Sequence, residues 1–301
     1  MKIRKVNSNQ IILHENTEVK FKIAGNTREV QFSAGVNKKC LIQNISKDKY
    51  LDKETGEIKE RKKSENRYQS PKSVRKSINK LMDLIRCNAT ETSSCKWLTL
   101  TYADVMIDHT KVYEDGKMFL RRLQQYLNNQ TELSVGQKLF KRITVAEPQG
   151  ESHGNSWHLH ILLIFQDIAP FISNDVITEL WGHGMTDTHK VYDADGLALY
   201  FKVYLSDVEY VEGDETYDVV DKVVDGKSKQ FIKGGRLKYY PTGMPLFSAS
   251  RGMKRPVVEK ISNKEAMERV SDCKLVYQET FVIGDKEKKG NLIDKRYYRK
   301  N

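Results

Sequence analysis

The sequence predicts an α+β fold, in which a central antiparallel sheet has helices packed on one of its faces. Segments with helical and strand periodicity interleave along the chain, but not in the regular strand-helix-strand order of a parallel sheet. The strongest strand signal is a pair of apolar runs at 140–146 and 157–165, separated by a polar loop that contains glycine. This pattern is typical of a β-hairpin.

Four helices are predicted from capping residues and from apolar side chains at helical spacing. Ser70 and Pro71 can begin a helix whose apolar face extends to Ile85. Asp108 can cap a second helix that runs to about Asn128 behind the sheet. Two shorter helices are expected at 174–180 and 198–205, and a further strand at 97–102.

The 301 residues are expected to form one principal domain with extensions. Residues 1–69 would supply N-terminal strands and a basic linker. Residues 70–258 would form the principal domain, and they include an acidic insertion at 207–225. Residues 259–301 would be a C-terminal extension.

Two histidines on the second hairpin strand are the most informative residues of the chain. Side chains of a strand alternate between its faces, so His158 and His160 point the same way and can hold a metal ion together. If the hairpin loop is symmetric, Glu147 faces Ser156 and its carboxylate lies on the same face. His153, in the loop, is the alternative third ligand. Such a set leaves coordination positions open and suits Mg²⁺ or Mn²⁺, although zinc could also bind.

Tyr200 and Tyr204 are four residues apart within a predicted helix, so they share one helix face. Such a pair is most often packing. Next to a metal site, however, a phenolate could attack a phosphodiester and hold one DNA end covalently.

The net charge of +11 and the pI near 9.2 favour a polyanionic partner. Basic residues concentrate at 59–80 and 229–260, whereas 207–225 carries eight acids and one lysine. Both basic runs are candidate DNA-contacting surfaces, and an ordinary solvated surface is the alternative for each. The individual candidates for DNA binding are Lys202, Arg236, Lys238, Arg251, Lys254 and Arg255.

Several classes of protein are excluded by the sequence. Since no run approaches the roughly 20 apolar residues of a membrane span, we expect a soluble, cytoplasmic protein with no membrane partner. The phosphate-binding pattern G-x-x-x-x-G-K-[ST] is absent, so no nucleotide cofactor and no fused helicase are expected. The four cysteines are scattered and are expected to be reduced.

Taken in order, W-L-T-L-T-Y at 97–102, E-x(10)-H-L-H at 147–160 and Y-x-x-x-Y at 200–204 resemble the motifs of the HUH endonuclease superfamily, and specifically its rolling-circle replication initiators. The segment 236–256 is also similar to plasmid and phage Rep proteins. The resemblance implies a ferredoxin-like or RRM-like core and a bacterial host cell. It implies Mg²⁺ or Mn²⁺ on His158, His160 and Glu147.

By the same resemblance, Tyr204 or Tyr200 would nick origin DNA, leaving a 5′-phosphotyrosyl link and a free 3′-hydroxyl. The partners would be single-stranded or hairpin origin DNA and a host helicase and polymerase. Tyr204 matches the second tyrosine of the family pattern Y-x-x-K-Y, but Val203 replaces its lysine and Lys202 is the only base nearby.

Three alternatives share some of these features. A conjugative relaxase or a transposase would use the same motifs on a different DNA target. A DNA-binding repressor without catalytic activity would use the two histidines only for packing. A metal hydrolase of the H-x-H-x-D-H type is disfavoured, because leucine occupies positions 162 and 163.

Overall fold

The computed structural model describes residues 3–6, 11–35, 41–62, 64–150, 154–204, 208–209, 219–224, 227–232, 235–283 and 291–300. The chain divides into two compact units. The central unit is Ser64–Arg255, and the terminal unit combines Met1–Lys63 with Pro256–Asn301. The N-terminal and C-terminal segments thus belong to one unit.

The helices are α1 (Pro71–Asn88), α2 (His109–Asn129), α3 (Val135–Lys138), α4 (Asn174–Trp181), α5 (Ala194–Tyr204) and α6 (Asn263–Glu268). The first nine strands are β1 (Ile3–Val6), β2 (Glu18–Ala24), β3 (Thr27–Ser33), β4 (Ile42–Asn44), β5 (Lys49–Asp52), β6 (Ile58–Glu60), β7 (Cys95–Leu100), β8 (Phe140–Pro148) and β9 (Trp157–Phe165). The remaining strands are β10 (Thr186–Lys190), β11 (Val208–Glu209), β12 (Val219–Val224), β13 (Lys227–Ile232), β14 (Ser248–Ala249), β15 (Val257–Ser262), β16 (Cys273–Ile283) and β17 (Asn291–Lys300).

The central unit is built on a five-stranded antiparallel sheet in the order β10-β7-β9-β8-β14. This confirms the predicted α+β class and the predicted hairpin of β8 and β9. A second, three-stranded sheet, β11-β13-β12, includes part of the segment predicted as an acidic insertion.

The register of the hairpin differs from the symmetric-loop prediction. Glu147 lies opposite His158, whereas Ser156 accepts a backbone hydrogen bond from Gln149. The shift is two residues, an even number, so Glu147 still shares a face with both histidines.

Helix α2 begins where the sequence predicts. The carboxylate of Asp108 accepts hydrogen bonds from the backbone amides of Thr110 and Lys111 at 2.8 and 3.3 Å. Gly116 lies where the helix crosses β9, and a Cβ at this position would come within 2.8 Å of Cδ1 of Leu159. Its missing side chain therefore permits close packing of α2 on the sheet face that carries Leu159.

Helix α5 lies on the other face of the sheet, which carries the histidines. The rings of Trp97 in β7 and Phe201 in α5 meet edge to face, with centroids 4.6 Å apart. Both residues are almost fully buried. This aromatic contact positions α5 across the strand that carries His160, as the sequence predicts.

The terminal unit is a six-stranded antiparallel sheet in the order β1-β16-β17-β3-β2-β15. Helix α6 covers one of its faces, where the buried side chains are Val19, Phe21, Val30, Ala266, Val270 and Tyr298. The strands β4, β5 and β6 form a separate small sheet.

Among the helices in the described ranges, none has both the length and the apolar character needed to span a membrane. Cys87, Cys95 and Cys273 are free thiols, and Cys40 lies outside the described residues.

Candidate metal centre

Two strands of the central sheet bring a carboxylate and two imidazoles together. Oε2 of Glu147, at the end of β8, lies 2.6 Å from Nε2 of His160 and 3.3 Å from Nε2 of His158 on β9. Within the described part of the chain, this trio is the cluster whose ligand atoms could hold a metal ion, all of them within 4.8 Å of one another. The predicted ligands therefore converge on one point.

The cluster is buried. Glu147 and His160 are each 3% exposed, and the side chain of His158 is 13% exposed. Burial lowers the pKa of His158 from its ordinary 6.5 to about 4. Burial, together with the neighbouring His158, also lowers the pKa of His160 well below that value. Both imidazoles are therefore neutral near pH 7, the form in which imidazole binds a metal.

His160 is held in place by two residues of β7. Its Nδ1 lies 3.2 Å from Oγ1 of Thr99, directly opposite in the sheet. Its ring also stacks on Trp97, with centroids 5.0 Å apart and planes 20° from parallel. Thr99 is the kind of outer partner that orients a ligating histidine and fixes which nitrogen carries its proton.

The donor set fits a divalent cation. Neither ring nitrogen of His158 has a hydrogen-bond partner among the described residues, although both are buried. A buried polar atom left in this state costs about 1–3 kcal/mol, and ligation of a cation would remove that cost for one nitrogen. With its Nδ1 proton donated to Thr99, His160 would likewise offer the Nε2 lone pair to the same cation.

Arg236 completes the centre from a distant part of the chain. Its guanidinium donates to Oε1 of Glu147, while Oε2 faces the histidines. Arg236 is only 8% exposed, and burial lowers its pKa. The structure thus places this residue, a predicted DNA contact, in the interior of the unit, where its charge compensates that of Glu147.

A buried tyrosine supports the same arrangement. Tyr240 donates a hydrogen bond of 3.0 Å to the backbone oxygen of Ala146, the residue before Glu147. Its ring meets Trp157 edge to face at 5.3 Å. Burial raises the pKa of Tyr240, so this phenol stays protonated and serves packing. The sequence left open whether Tyr240 packs or stacks on bases.

The tyrosine helix lies against the histidine strand. The ring centroid of Tyr200 is 6.5 Å from that of His160 and 6.0 Å from that of Trp97, and its side chain is 38% exposed. Tyr204 is the last residue of α5, one helical turn further on. The side chains of Tyr204 and Lys202 lie outside the described part of the chain, as does the alternative ligand His153.

The remaining predicted DNA contacts lie at the surface or close to it. Arg251, Lys254 and Arg255 are exposed. Lys238 is half-buried, and its Nζ lies 5.9 Å from the ring centroid of Tyr68. These residues are available to a polyanion, but they do not belong to the metal cluster.

Two contributors to the site were not predicted in these roles. Thr99 is part of the strand pattern W-L-T-L-T-Y, yet its contact with His160 depends on the pairing of β7 with β9. Arg236 is 89 residues from Glu147 in the sequence. The one available signal was its place in a basic segment, and that signal indicated a surface role.

Comparison with known proteins finds similarity to one family. Residues 95–209 match the model of a family described as replication-associated protein, of the ORF2 type. The matched segment begins with β7 and ends after α5, so it contains Thr99, both histidines and both helix tyrosines. No curated protein and no solved structure matches the chain.

Proposed function

We propose that the chain is a replication initiator that nicks and rejoins single-stranded origin DNA through a tyrosine of α5. The convergence of His158, His160 and Glu147 beside that helix carries the proposal. The match of residues 95–209 to a replication-associated family supports the biological setting.

Each residue has a defined part in this reaction. His158, His160 and Glu147 would hold Mg²⁺ or Mn²⁺, which would polarise the scissile phosphodiester and lower the cost of its extra charge. Thr99 keeps the ring of His160 in orientation. Arg236 holds one carboxylate oxygen of Glu147 and leaves the other directed toward the imidazoles. Trp97 and Phe201 fix α5 against this face.

The chemical step is a transesterification. The phenolic oxygen of Tyr204 or Tyr200 attacks the phosphorus as the phenol loses its proton to solvent. The bond from phosphorus to the 3′-oxygen breaks, and that oxygen takes up a proton. The products are a 5′-phosphotyrosyl link and a free 3′-hydroxyl, and the reverse reaction rejoins the strand.

The two tyrosines have different support. The ring of Tyr200 is in contact distance of the histidine and tryptophan rings. Tyr204 matches the second tyrosine of the pattern Y-x-x-K-Y. Since residues four apart share a helix face, both positions are directed to the same side of α5.

The substrate must be unpaired at the scissile nucleotides, because a duplex cannot bring a backbone phosphate and its flanking bases into a site beneath a helix. A hairpin or a melted origin meets this requirement. A host helicase would then unwind the parental duplex, and a host polymerase would extend the 3′-hydroxyl.

Single and double tyrosine variants test this proposal. Labelled single-stranded oligonucleotides that tile the parent replicon are incubated with the protein and Mn²⁺, and the products are separated on a denaturing gel. Tyr204→Phe, Tyr200→Phe and the double variant keep the ring and remove the nucleophile. We expect cleavage to be lost in the double variant and in one of the single variants. Undiminished cleavage by the double variant would overturn the tyrosine mechanism.

A further inference from the structure

The positive charge of the chain is distributed very unequally between its two units. The terminal unit contains 26 basic and 16 acidic residues, a net charge of +10, whereas the central unit contains 25 and 24, a net charge of +1. Nearly all of the net charge of +11 therefore belongs to the unit that does not contain the metal centre.

The sheet of the terminal unit has two different faces. Helix α6 and its apolar partners cover the face that carries Val19, Phe21 and Val30. Strand register assigns to the opposite face a set of basic and aromatic side chains, which we call the basic face: Lys20, Lys260, Lys274, Tyr277, Lys295, Tyr297 and Arg299.

One row of this face crosses four strands. Lys260 of β15 lies opposite Lys20 of β2, which lies opposite Gln31 of β3, and Gln31 in turn lies opposite Lys295 of β17. Nζ of Lys295 is 5.9 Å from the ring centroid of Phe281, on the same face. The row presents three cations across the sheet.

The next rows add aromatic rings and two further cations. Tyr277 and Tyr297 lie opposite each other on β16 and β17, with ring centroids 5.9 Å apart, and Tyr277 is 50% exposed. Beyond them, Lys274 lies opposite Arg299, and both are exposed.

Like charges directly opposite in a sheet are unfavourable for folding. The basic face contains two such pairs, Lys20 with Lys260 and Lys274 with Arg299. The described carboxylates on this face are already engaged by side chains of the face itself: Glu18 with Lys260 at 2.9 Å, Glu29 with Lys22 at 2.6 Å, and Glu279 with the hydroxyl of Tyr277. Among the described residues, the cations of the face therefore outnumber its carboxylates, at a cost to the stability of the sheet.

We propose that the basic face binds single-stranded DNA, as a second nucleic-acid surface besides the metal centre. Cations along the rows meet the phosphates, and the exposed ring of Tyr277 stacks on an unpaired base. A flat sheet face offers rings to unpaired bases, whereas a duplex groove requires a protruding element. An initiator with this surface keeps hold of the unpaired origin strand while the central unit cuts and rejoins it, so the inference rests on the proposed function for its purpose.

Fluorescence anisotropy of the full chain tests the surface. The probe is a labelled mixed-sequence single strand of about 30 nucleotides, long enough for more than one contact region. The variant Lys20→Gln/Lys274→Gln/Lys295→Gln neutralises the basic face. The matched control, Lys47→Gln/Lys53→Gln/Lys264→Gln, removes the same charge from exposed positions elsewhere in the same unit.

Neutralising the basic face is expected to weaken binding roughly 10- to 100-fold near 0.1 M salt and to reduce the salt slope by about 2, whereas the control retains most of the affinity. Tyr277→Ala is expected to lose about fivefold or more, and Tyr277→Phe to bind like the wild type. Equal losses in both triple variants, or tighter binding of a duplex of the same sequence, would overturn the proposal.

Two further readings separate this inference from the proposed nuclease. Thermal unfolding confirms that the variants fold, and removing repelling lysines is not expected to lower stability. At saturating DNA, the basic-face variant is expected to retain cleavage, while His158→Ala loses cleavage and retains binding of the probe. Failure of cleavage in every variant would leave the binding result to decide the surface on its own.

Discussion

Arg236 donates to one carboxylate oxygen of Glu147, while the other oxygen of that carboxylate lies 2.6 Å from Nε2 of His160. One buried carboxylate therefore links the segment Gly235–Tyr239 to the histidine strand. Its negative charge is shared between a permanent cation and the metal-binding point, so the arginine controls both the stability and the metal affinity of the centre.

Replacing the arginine tests this balance. Arg236→Met removes the cation and leaves a buried carboxylate with less compensation, which is expected to cost about 3 kcal/mol of unfolding free energy without metal. Mn²⁺ then replaces the missing charge, so it is expected to raise the melting temperature of the variant more than that of the wild type. Differential scanning calorimetry with and without Mn²⁺ measures both effects.

Arg255→Met is the matched control, since Arg255 is an exposed arginine of the same unit. It is expected to match the wild type in melting temperature and in the shift caused by Mn²⁺. An Mn²⁺ shift in Arg236→Met no larger than that of the wild type would contradict the proposed charge balance.

Thr99 should be needed for metal affinity through its hydroxyl group. Thr99→Val keeps the shape of the side chain but leaves Nδ1 of His160 without its partner at 3.2 Å. We expect about a 10-fold loss of Mn²⁺ affinity by isothermal titration calorimetry. Thr99→Ser retains the hydroxyl and is expected to bind Mn²⁺ within a small factor of the wild type. If valine bound as well as serine, the orienting role of Thr99 would be wrong.

The stability of the central unit should fall in alkali because of a buried tyrosine. Tyr113 donates a hydrogen bond to the backbone oxygen of Pro245 at 2.8 Å, and burial raises its pKa from 10.0 to about 12. The unfolded chain releases this proton above pH 10, whereas the folded chain retains it to about pH 12. Unfolding is therefore favoured increasingly as the pH rises through that window.

Tyr113→Phe has no proton to release, so its stability is expected to decline less between pH 10 and 12 than that of the wild type. Urea unfolding at a series of pH values measures the difference. Identical declines in the two proteins would show that Tyr113 is not the group responsible. Activity assays that use high pH to ionise the nucleophilic tyrosine need to remain below this window.

Local patterns predicted much of the central unit. The cap at Asp108, the proline that begins α1 and the alternation of β9 all act within a few residues, and each element forms where those signals lie. The shared face of Glu147, His158 and His160 was also predictable, because a register shift of two preserves the side on which a strand residue lies.

Long-range pairing could not be predicted in the same way. The partnership of β2, β3 and β15 with β16 and β17 joins the two ends of the chain, and no local pattern specifies which strands meet. Arg236 has the composition signal of a surface residue but lies in the interior, because the carboxylate that it neutralises is distant in sequence. The face that holds the surplus of lysines became identifiable only from strand register.

Detection of a covalent protein–DNA adduct tests the central claim most directly. The full chain is incubated with single-stranded origin oligonucleotides and Mn²⁺, digested with protease and examined by mass spectrometry. We predict a nucleotide phosphate on Tyr204 or Tyr200 that requires Mn²⁺ and is absent from His158→Ala. Cleavage without any tyrosine adduct, or an adduct that forms equally in His158→Ala, would contradict metal-assisted attack by the helix tyrosines.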